Sequence, residues 1–412
     1  MSAIAYDAAC MMTPVSLAAL SAALFLASTL FSHTVALRLT FLVLGTLLCA
    51  IDLFRTRNEA SPLPPIWLPF LVWAVWGAAS LGWSVEPERS AKELRNEVVY
   101  TGLALWMCYV AAQGQHAARI IVPTVAAASV LLCAVALYHF GQGFESYAAG
   151  WHGGSGNLSS ALITLLPCVV AASWYSWRAD ARGVVIVAAV LAALLMVAAY
   201  TTLNRTIWIA FGAQLLVIGG LLVFRLRIYL YPRARGIVIA LAIGLVAASA
   251  FATLSIQAER QAIGAPEMSH DPRLALWPEI VDYIKARPAT GYGFGRGLLR
   301  KPLGKDFQNE LLWHAHNLFL DVTLQLGVAG ILLLAVLLAW TLRAGWHLAR
   351  APDELAAACG MALIAVVVGM VIRNSTDTLL VRQNALLYWG VVGVLLAWGR
   401  QALHPPRKPA AA

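Results

Sequence analysis

Uninterrupted apolar runs long enough to cross a bilayer, about 18 residues or more, recur along this chain and restrict its fold more than any other feature. Residues 183–202, GVVIVAAVLAALLMVAAYTT, are one such run. Water is absent from a bilayer core, so each crossing segment must satisfy its own backbone hydrogen bonds, either as a helix or within a closed barrel. Barrel strands alternate apolar and polar residues over roughly ten positions, and these runs do not alternate. Only 12% of the 412 residues are charged, against about 25% in soluble domains. The fold class expected is an all-α polytopic membrane protein.

Twelve spans are expected, at about 14–32, 35–54, 64–84, 96–114, 119–140, 158–177, 183–202, 206–224, 236–256, 318–342, 355–373 and 384–399. The first thirteen residues carry no Lys or Arg, unlike the start of a cleavable signal peptide, so the first apolar stretch is expected to be a retained span. The organisation expected is a bundle of about nine spans over 1–256, a polar segment over 257–317, three spans over 318–399 and a disordered tail over 400–412. An even number of spans puts both termini on one side. With the N-terminus inside, the inner segments hold fourteen Lys and Arg, from Arg55 and Arg57 to Arg407 and Lys408, and the short outer loops hold six. The positive-inside rule then makes both termini cytoplasmic and turns 257–317 outward.

That orientation accounts for most of the net charge of +9 without nucleic acid. It also singles out the arginines that oppose it. Arg205 stands in a very short outer turn, TTLNRTIW, and Arg373 opens the turn RNSTDTLLVRQ. Either the two snorkel to lipid phosphates, or they hold a shared anion. Asp377, in the same turn, could neutralise Arg373, orient an imidazole or accept a proton from a substrate hydroxyl. The six cysteines form no CxxC pair, which implies neither a disulfide framework nor a thiolate metal site. Residues 140–160 are rich in Gly and Ser and read as an outer loop, with His152 solvated in it.

The polar segment carries the sharpest signals. DPRLALWPEIVDYIKARP reads as a helix on the membrane surface: Asp271 caps it, Pro272 starts it and Pro288 ends it. Trp277, Ile280, Val281 and Ile284 form its apolar stripe. Arg273 lies one turn before Trp277 and so points along that stripe. TGYGFGRG, with Tyr292 and Arg296, either presents backbone N–H groups to a phosphate or simply turns the chain. It is not a Walker sequence. WHAHN then sets His314, His316 and Asn317 at the start of a long apolar helix. The partial positive charge of a helix N-terminus favours neutral imidazole, the form that accepts a proton. HxH also occurs in metal sites, but no Asp, Glu or Cys cluster of obvious ligand spacing accompanies it.

Three stretches carry a family resemblance: NRTIW at 204–208, RLALWPEIVDYIKARPATGYGFG at 273–295, and HAHNLFLDVTLQLGVAGILLL at 314–334. Together with the twelve-span layout, they resemble the O-antigen ligase family, within a superfamily of polyprenyl-diphosphate-dependent glycan ligases and polymerases. The resemblance implies transfer of a glycan from undecaprenyl diphosphate to a sugar hydroxyl of lipid A–core, at the periplasmic face of the bacterial inner membrane. It implies an inverting, metal-independent reaction of the membrane-embedded glycosyltransferase kind, with no cofactor. His316 is then the general base, Arg205 and Arg273 are diphosphate ligands, and Asp377 is a supporting acid. His314, Arg373, Arg296, Tyr292 and Asn317 are the further substrate-binding candidates. The partners implied are the lipid-linked glycan, lipid A–core and membrane lipid. Polymerases of the superfamily often carry an Asn-Pro-Asn pattern where this chain reads GGSGNLSSA. That departure favours a ligase over a polymerase, and a protein O-glycosyltransferase is the other alternative among the enzymes. A lipid-linked glycan transporter is the competing class.

Overall fold

The apolar runs become helices that lie side by side. A computed structural model describes residues 14–404, apart from 57–61, 115, 228–230, 263–271, 299 and 301–313. In chain order the helices are α1 (Pro14–Thr29), α2 (Val35–Thr56), α3 (Trp67–Ala79), α4 (Pro87–Leu94), α5 (Tyr100–Ala111), α6 (Ala117–Gly141), α7 (Phe144–Ala149), α8 (Gly154–Arg178), α9 (Arg182–Thr201), α10 (Arg205–Arg225), α11 (Pro232–Ala262), α12 (Pro272–Ala286), α13 (Leu318–Ala349), α14 (Glu354–Asn374) and α15 (Arg382–Leu403). A π-turn over Arg95–Val99 joins α4 to α5. No strand occurs among the described residues.

Nine of these helices are long and apolar enough to cross a membrane. They match nine of the twelve expected spans. The other three, 14–32, 64–84 and 96–114, fall on the shorter helices α1, α3 and α5. The Gly- and Ser-rich stretch is more ordered than its composition suggests: α7 lies within it and α8 begins at Gly154. Helix α15 runs on to Leu403, past the expected boundary at residue 399. Residues 405–412, Asp271 and the first thirteen residues lie outside the described part.

The apolar windows of α14, α15 and α8 are 78%, 72% and 67% buried, whereas that of α11 is 6% buried. The first three therefore form the centre of the bundle, and Ile239–Ile256 of α11 lies at its outside. Gln214 of α10 shows how a polar group is tolerated there. Its Nε2 donates to the carbonyls of Ile163 on α8 and Ala365 on α14, at 2.8 and 3.1 Å. A polar side chain without such acceptors would be costly in hydrocarbon.

The break in α13 positions the polar segment. Gly327 has φ +67 and interrupts the helix. A Cβ at this position would stand 2.3 Å from the Ala289 carbonyl oxygen, so the kink requires glycine. Backbone groups freed around the break bind the turn after α12. Val328 N–H donates to Pro288 O at 2.8 Å, while Tyr292 and Gly293 donate to Leu324 O and Gln325 O at 3.0 and 2.9 Å. The other side of the turn is fixed by α3 and the residues that follow it. Trp83 Nε1 donates to Thr290 O at 2.8 Å, and Ser80 Oγ accepts from Phe294 N–H at 2.9 Å. Helix α12 rests on α13 through a small apolar cluster of Leu276, Ile280, Ala315 and Leu324, with Ile284 and Tyr292 beside it.

Candidate functional site

The loop between α14 and α15, residues 375–381, is where the separate polar signals meet. Asn374 shapes it: its Oδ1 accepts from the backbone N–H groups of Leu379 and Leu380, each at 2.8 Å. On one flank Arg273 Nη1 donates to the Thr376 carbonyl. Thr206 Oγ1, next to Arg205 in the first turn of α10, lies 3.0 Å from Thr376 Oγ1. On the other flank Arg296 Nη1 donates to Thr378 O at 2.9 Å. Arg373 is buried at the end of α14, where its Nε donates to Ser159 Oγ at 2.9 Å. Guanidinium groups of Arg273, Arg296 and Arg373 thus adjoin one short loop, and Arg205 opens the helix whose Thr206 reaches it.

His316 and Asp377 stand at its middle. His316 Nδ1 lies 3.4 Å from Asp377 Oδ1, and Arg373 Nη2 lies 3.8 Å from Asp377 Oδ2. Burial alone would raise the pKa of Asp377. The hydrogen bond from His316, the Arg373 guanidinium and the Thr378 N–H outweigh that and hold the carboxyl well below the usual carboxylate range. An ionised Asp377 facing Nδ1 fixes the imidazole ring and leaves Nε2 as the acceptor. His316 also has φ +47, a conformation that non-glycine residues seldom adopt and that concentrates at functional sites.

His314 lies beneath His316, with ring centroids 3.8 Å apart. Its Nδ1 accepts the His316 backbone N–H at 2.9 Å, so a neutral His314 carries its proton on Nε2. Burial, then the neighbouring His316 and Arg296, push its titration far below the ordinary histidine value. It stays neutral and supports the backbone of His316. Asp321, in the first turn of α13, accepts the Ala315 N–H at 2.8 Å and the Thr378 hydroxyl. It ties the histidine strand to the loop.

Two candidates are engaged by the chain itself. Asn317 caps α13, accepting from Phe319 and Leu320 N–H at 2.9 and 3.2 Å, while its amide donates to Ser375 O at 2.9 Å. Tyr292 packs against Tyr283, and its hydroxyl donates to the Tyr283 carbonyl at 3.1 Å. The glycine turn is not a phosphate cradle, because the N–H groups of residues 291–295 are all taken by partners within the chain. His152 is a correction. Rather than solvated, it is fully buried, with its ring 4.3 Å from that of Tyr147. Sequence reading passed over Asp321, Thr376 and Thr378. The first could have been found as a carboxylate five residues after His316, in the opening turn of an apolar helix.

His314, His316 and Asp377 each bring one ligand atom within 4.8 Å of the others, a spacing that would also suit a divalent ion. Arg373 and Arg296 set positive charge against a further cation there.

Fold and site together define a multi-pass helical membrane protein with a cluster of arginines, histidines and an aspartate at one end of its bundle. Residues 190–335 match the family model described as O-Antigen ligase. That match supports the O-antigen ligase family for this chain, and with it a membrane protein of the glycan ligase and polymerase type. The matched stretch contains Arg205, Arg273, Arg296, His314 and His316, while Arg373 and Asp377 lie beyond it. No curated protein matches the chain.

Proposed function

We propose that the protein is an O-antigen ligase, which moves a glycan from undecaprenyl diphosphate to a sugar hydroxyl of lipid A–core at the periplasmic face of the inner membrane. The observation that carries this reading is the His316–Asp377 pair, at a loop that Arg273, Arg296 and Arg373 adjoin and that Thr206, the neighbour of Arg205 in the chain, also reaches. A sugar hydroxyl is a poor nucleophile until its proton is taken. His316 Nε2 accepts that proton as the hydroxyl oxygen attacks the anomeric carbon, and Asp377 stabilises the resulting imidazolium. The bond from the anomeric carbon to the diphosphate oxygen breaks on the opposite face, which inverts the centre. The charge that gathers on the departing diphosphate falls to Arg205 and Arg273, on the Thr376 flank. The lipid tail of the donor stays in the bilayer beside the bundle.

The cluster lies at one end of the helices rather than at mid-membrane, where transporters hold their ionisable groups. This favours group transfer over transport. The test is ligation by purified protein, with lipid-linked glycan, lipid A–core and excess EDTA. Covalent product at the rate seen without EDTA is expected. No covalent product under any condition would remove the ligase reading. Loss restored by a divalent ion would convert the two histidines and Asp377 into a metal site.

A further inference from the structure

Helix α13 carries a cationic patch on its outward face, at the end of the bundle away from the His316–Asp377 loop. That end adjoins the Arg225–Glu354 pair, since Arg225 Nη1 donates to Ala351 O at 2.6 Å. From the kink at Gly327 to Ala349 the helix runs roughly 33 Å at about 1.5 Å per residue, close to the thickness of a hydrocarbon core. Val328, Leu332, Val336 and Trp340 recur every fourth residue and are all exposed, so they form one apolar stripe along that length. Arg343, His347 and Arg350 continue the same face to the end of the helix, and all three are exposed.

Aromatic rings, not carboxylates, hold the two guanidiniums. Arg343 Cζ lies 5.7 Å from the centre of the Trp340 ring, and Arg350 Cζ lies 5.7 Å from that of Trp346. Among the described residues neither side chain makes a salt bridge or a hydrogen bond. Contact with a ring leaves the guanidinium N–H groups available. The carboxylates that follow α13 are engaged elsewhere: Asp353 caps α14 by accepting Ala356 N–H at 2.8 Å, and Glu354 takes Arg178 and Arg225. Each arginine also leans back along the helix, over a tryptophan about one turn nearer its middle. A guanidinium turned toward hydrocarbon is costly without an anion. A phosphate met bidentately offsets that cost. The patch therefore suits negative charge joined to an apolar chain.

We propose that this face binds an anionic phospholipid. The headgroup phosphate lies between Arg343 and Arg350, which stand two turns apart, roughly 10 Å along the axis, and His347 donates to it from between them. One acyl chain lies along the stripe, over Trp340, Val336 and Leu332. Among the described residues the patch has no free carboxylate to receive the ammonium of a zwitterionic headgroup, so a headgroup of net negative charge is preferred. A second copy of this chain fits less well, because two such faces would bring like charges together. The site is separate from the proposed ligation chemistry and depends neither on it nor on which leaflet this end of the bundle meets.

The experiment places the purified full-length protein in mixed micelles with equal amounts of phosphatidylglycerol and phosphatidylethanolamine, and counts the retained lipid by native mass spectrometry. Wild type is expected to retain phosphatidylglycerol over phosphatidylethanolamine on the order of tenfold. Arg343→Gln and Arg350→Gln should each lose about threefold of that preference, and the double variant nearly all of it. The control is Arg55→Gln with Arg119→Gln, which removes the same charge from two other exposed arginines and should keep the wild-type preference. Wild type without a preference, a double variant with the wild-type preference, or a control that loses as much as the double variant would each overturn the site. Inorganic phosphate in tenfold excess should leave the retained lipid unchanged. Displacement by it would make the patch a site for a free anion and overturn the lipid assignment. The single variants carry the test if the double variant fails to fold.

Discussion

At the scale of single residues, the account depends on the difference between two neighbouring imidazoles. His314 is packed away and neutral, with its Nδ1 committed to the backbone of His316. His316 faces Asp377 and is partly open, its side chain 24% exposed. Asp377→Asn should lower kcat, because an amide can present its N–H to Nδ1 and hold the wrong tautomer. The same change tests a linkage. The folded-state pKa of Asp377 is depressed, so its stabilisation is complete above the unfolded carboxylate value, about 3.9, and is lost as pH falls below it. Thermal unfolding should show wild type more stable than Asp377→Asn by about 1 kcal/mol across neutral and mildly acidic pH, with the gap closing only below that value. A gap that closed near pH 6 would mean that Asp377 is not held ionised. For Arg273, a conservative Lys keeps the charge but loses the planar fork. Arg273→Lys should reduce kcat by about a hundredfold, corresponding to roughly 3 kcal/mol of barrier, with little change in KM for the acceptor. Unchanged kcat would separate Arg273 from the leaving group.

At the scale of elements, the break at Gly327 joins the glycine turn to the histidine helix. A side chain there meets both the positive φ and the Ala289 and Pro288 carbonyls. Gly327→Ala should therefore destabilise by about 1–3 kcal/mol and lower ligation, although residue 327 lies well away from His316 in sequence. An unaltered melting temperature would show that the kink tolerates a Cβ. This element also marks the limit of what sequence reveals. The helices were legible because apolar length in a bilayer leaves almost no alternative to a helix. Helix α12 was legible through its stripe, and the position of His316 at the start of α13 through the apolar run that follows it. The kink was not, since one glycine inside a long apolar run alters no periodicity. Asn317 resembled a ligand because a cap and a contact residue use the same amide. The partners of Arg296 and Asp321 in the α14–α15 loop were not legible, because pairings at such separation leave no local trace. The burial of His152 was hidden by the glycine and serine around it, whose composition suggests solvent while Tyr147 closes over the ring.

At the scale of the whole molecule, the two ends of the bundle differ in kind. One end carries the His316–Asp377 loop. At the other, Arg178 and Arg225 close on Glu354 at 3.1 and 2.8 Å, and Arg400 donates to the Tyr109 hydroxyl at 3.1 Å. The second end is a structural fastening, and it coincides with the segments that the positive-inside rule assigns to the cytoplasm. If that assignment holds, a cysteine introduced at the exposed Arg300 should react with an impermeant thiol reagent from the periplasmic side of intact spheroplasts. One introduced at Asp180 should react only after lysis. The reverse pattern would turn the site toward the cytosol and away from a periplasmic acceptor. The most direct test of the central claim is single-turnover ligation by purified wild type and His316→Ala, with donor and acceptor supplied on the same side of a proteoliposome. The account predicts product from wild type and a rate lower by on the order of 100- to 10,000-fold in the folded variant, whereas equal rates would contradict it.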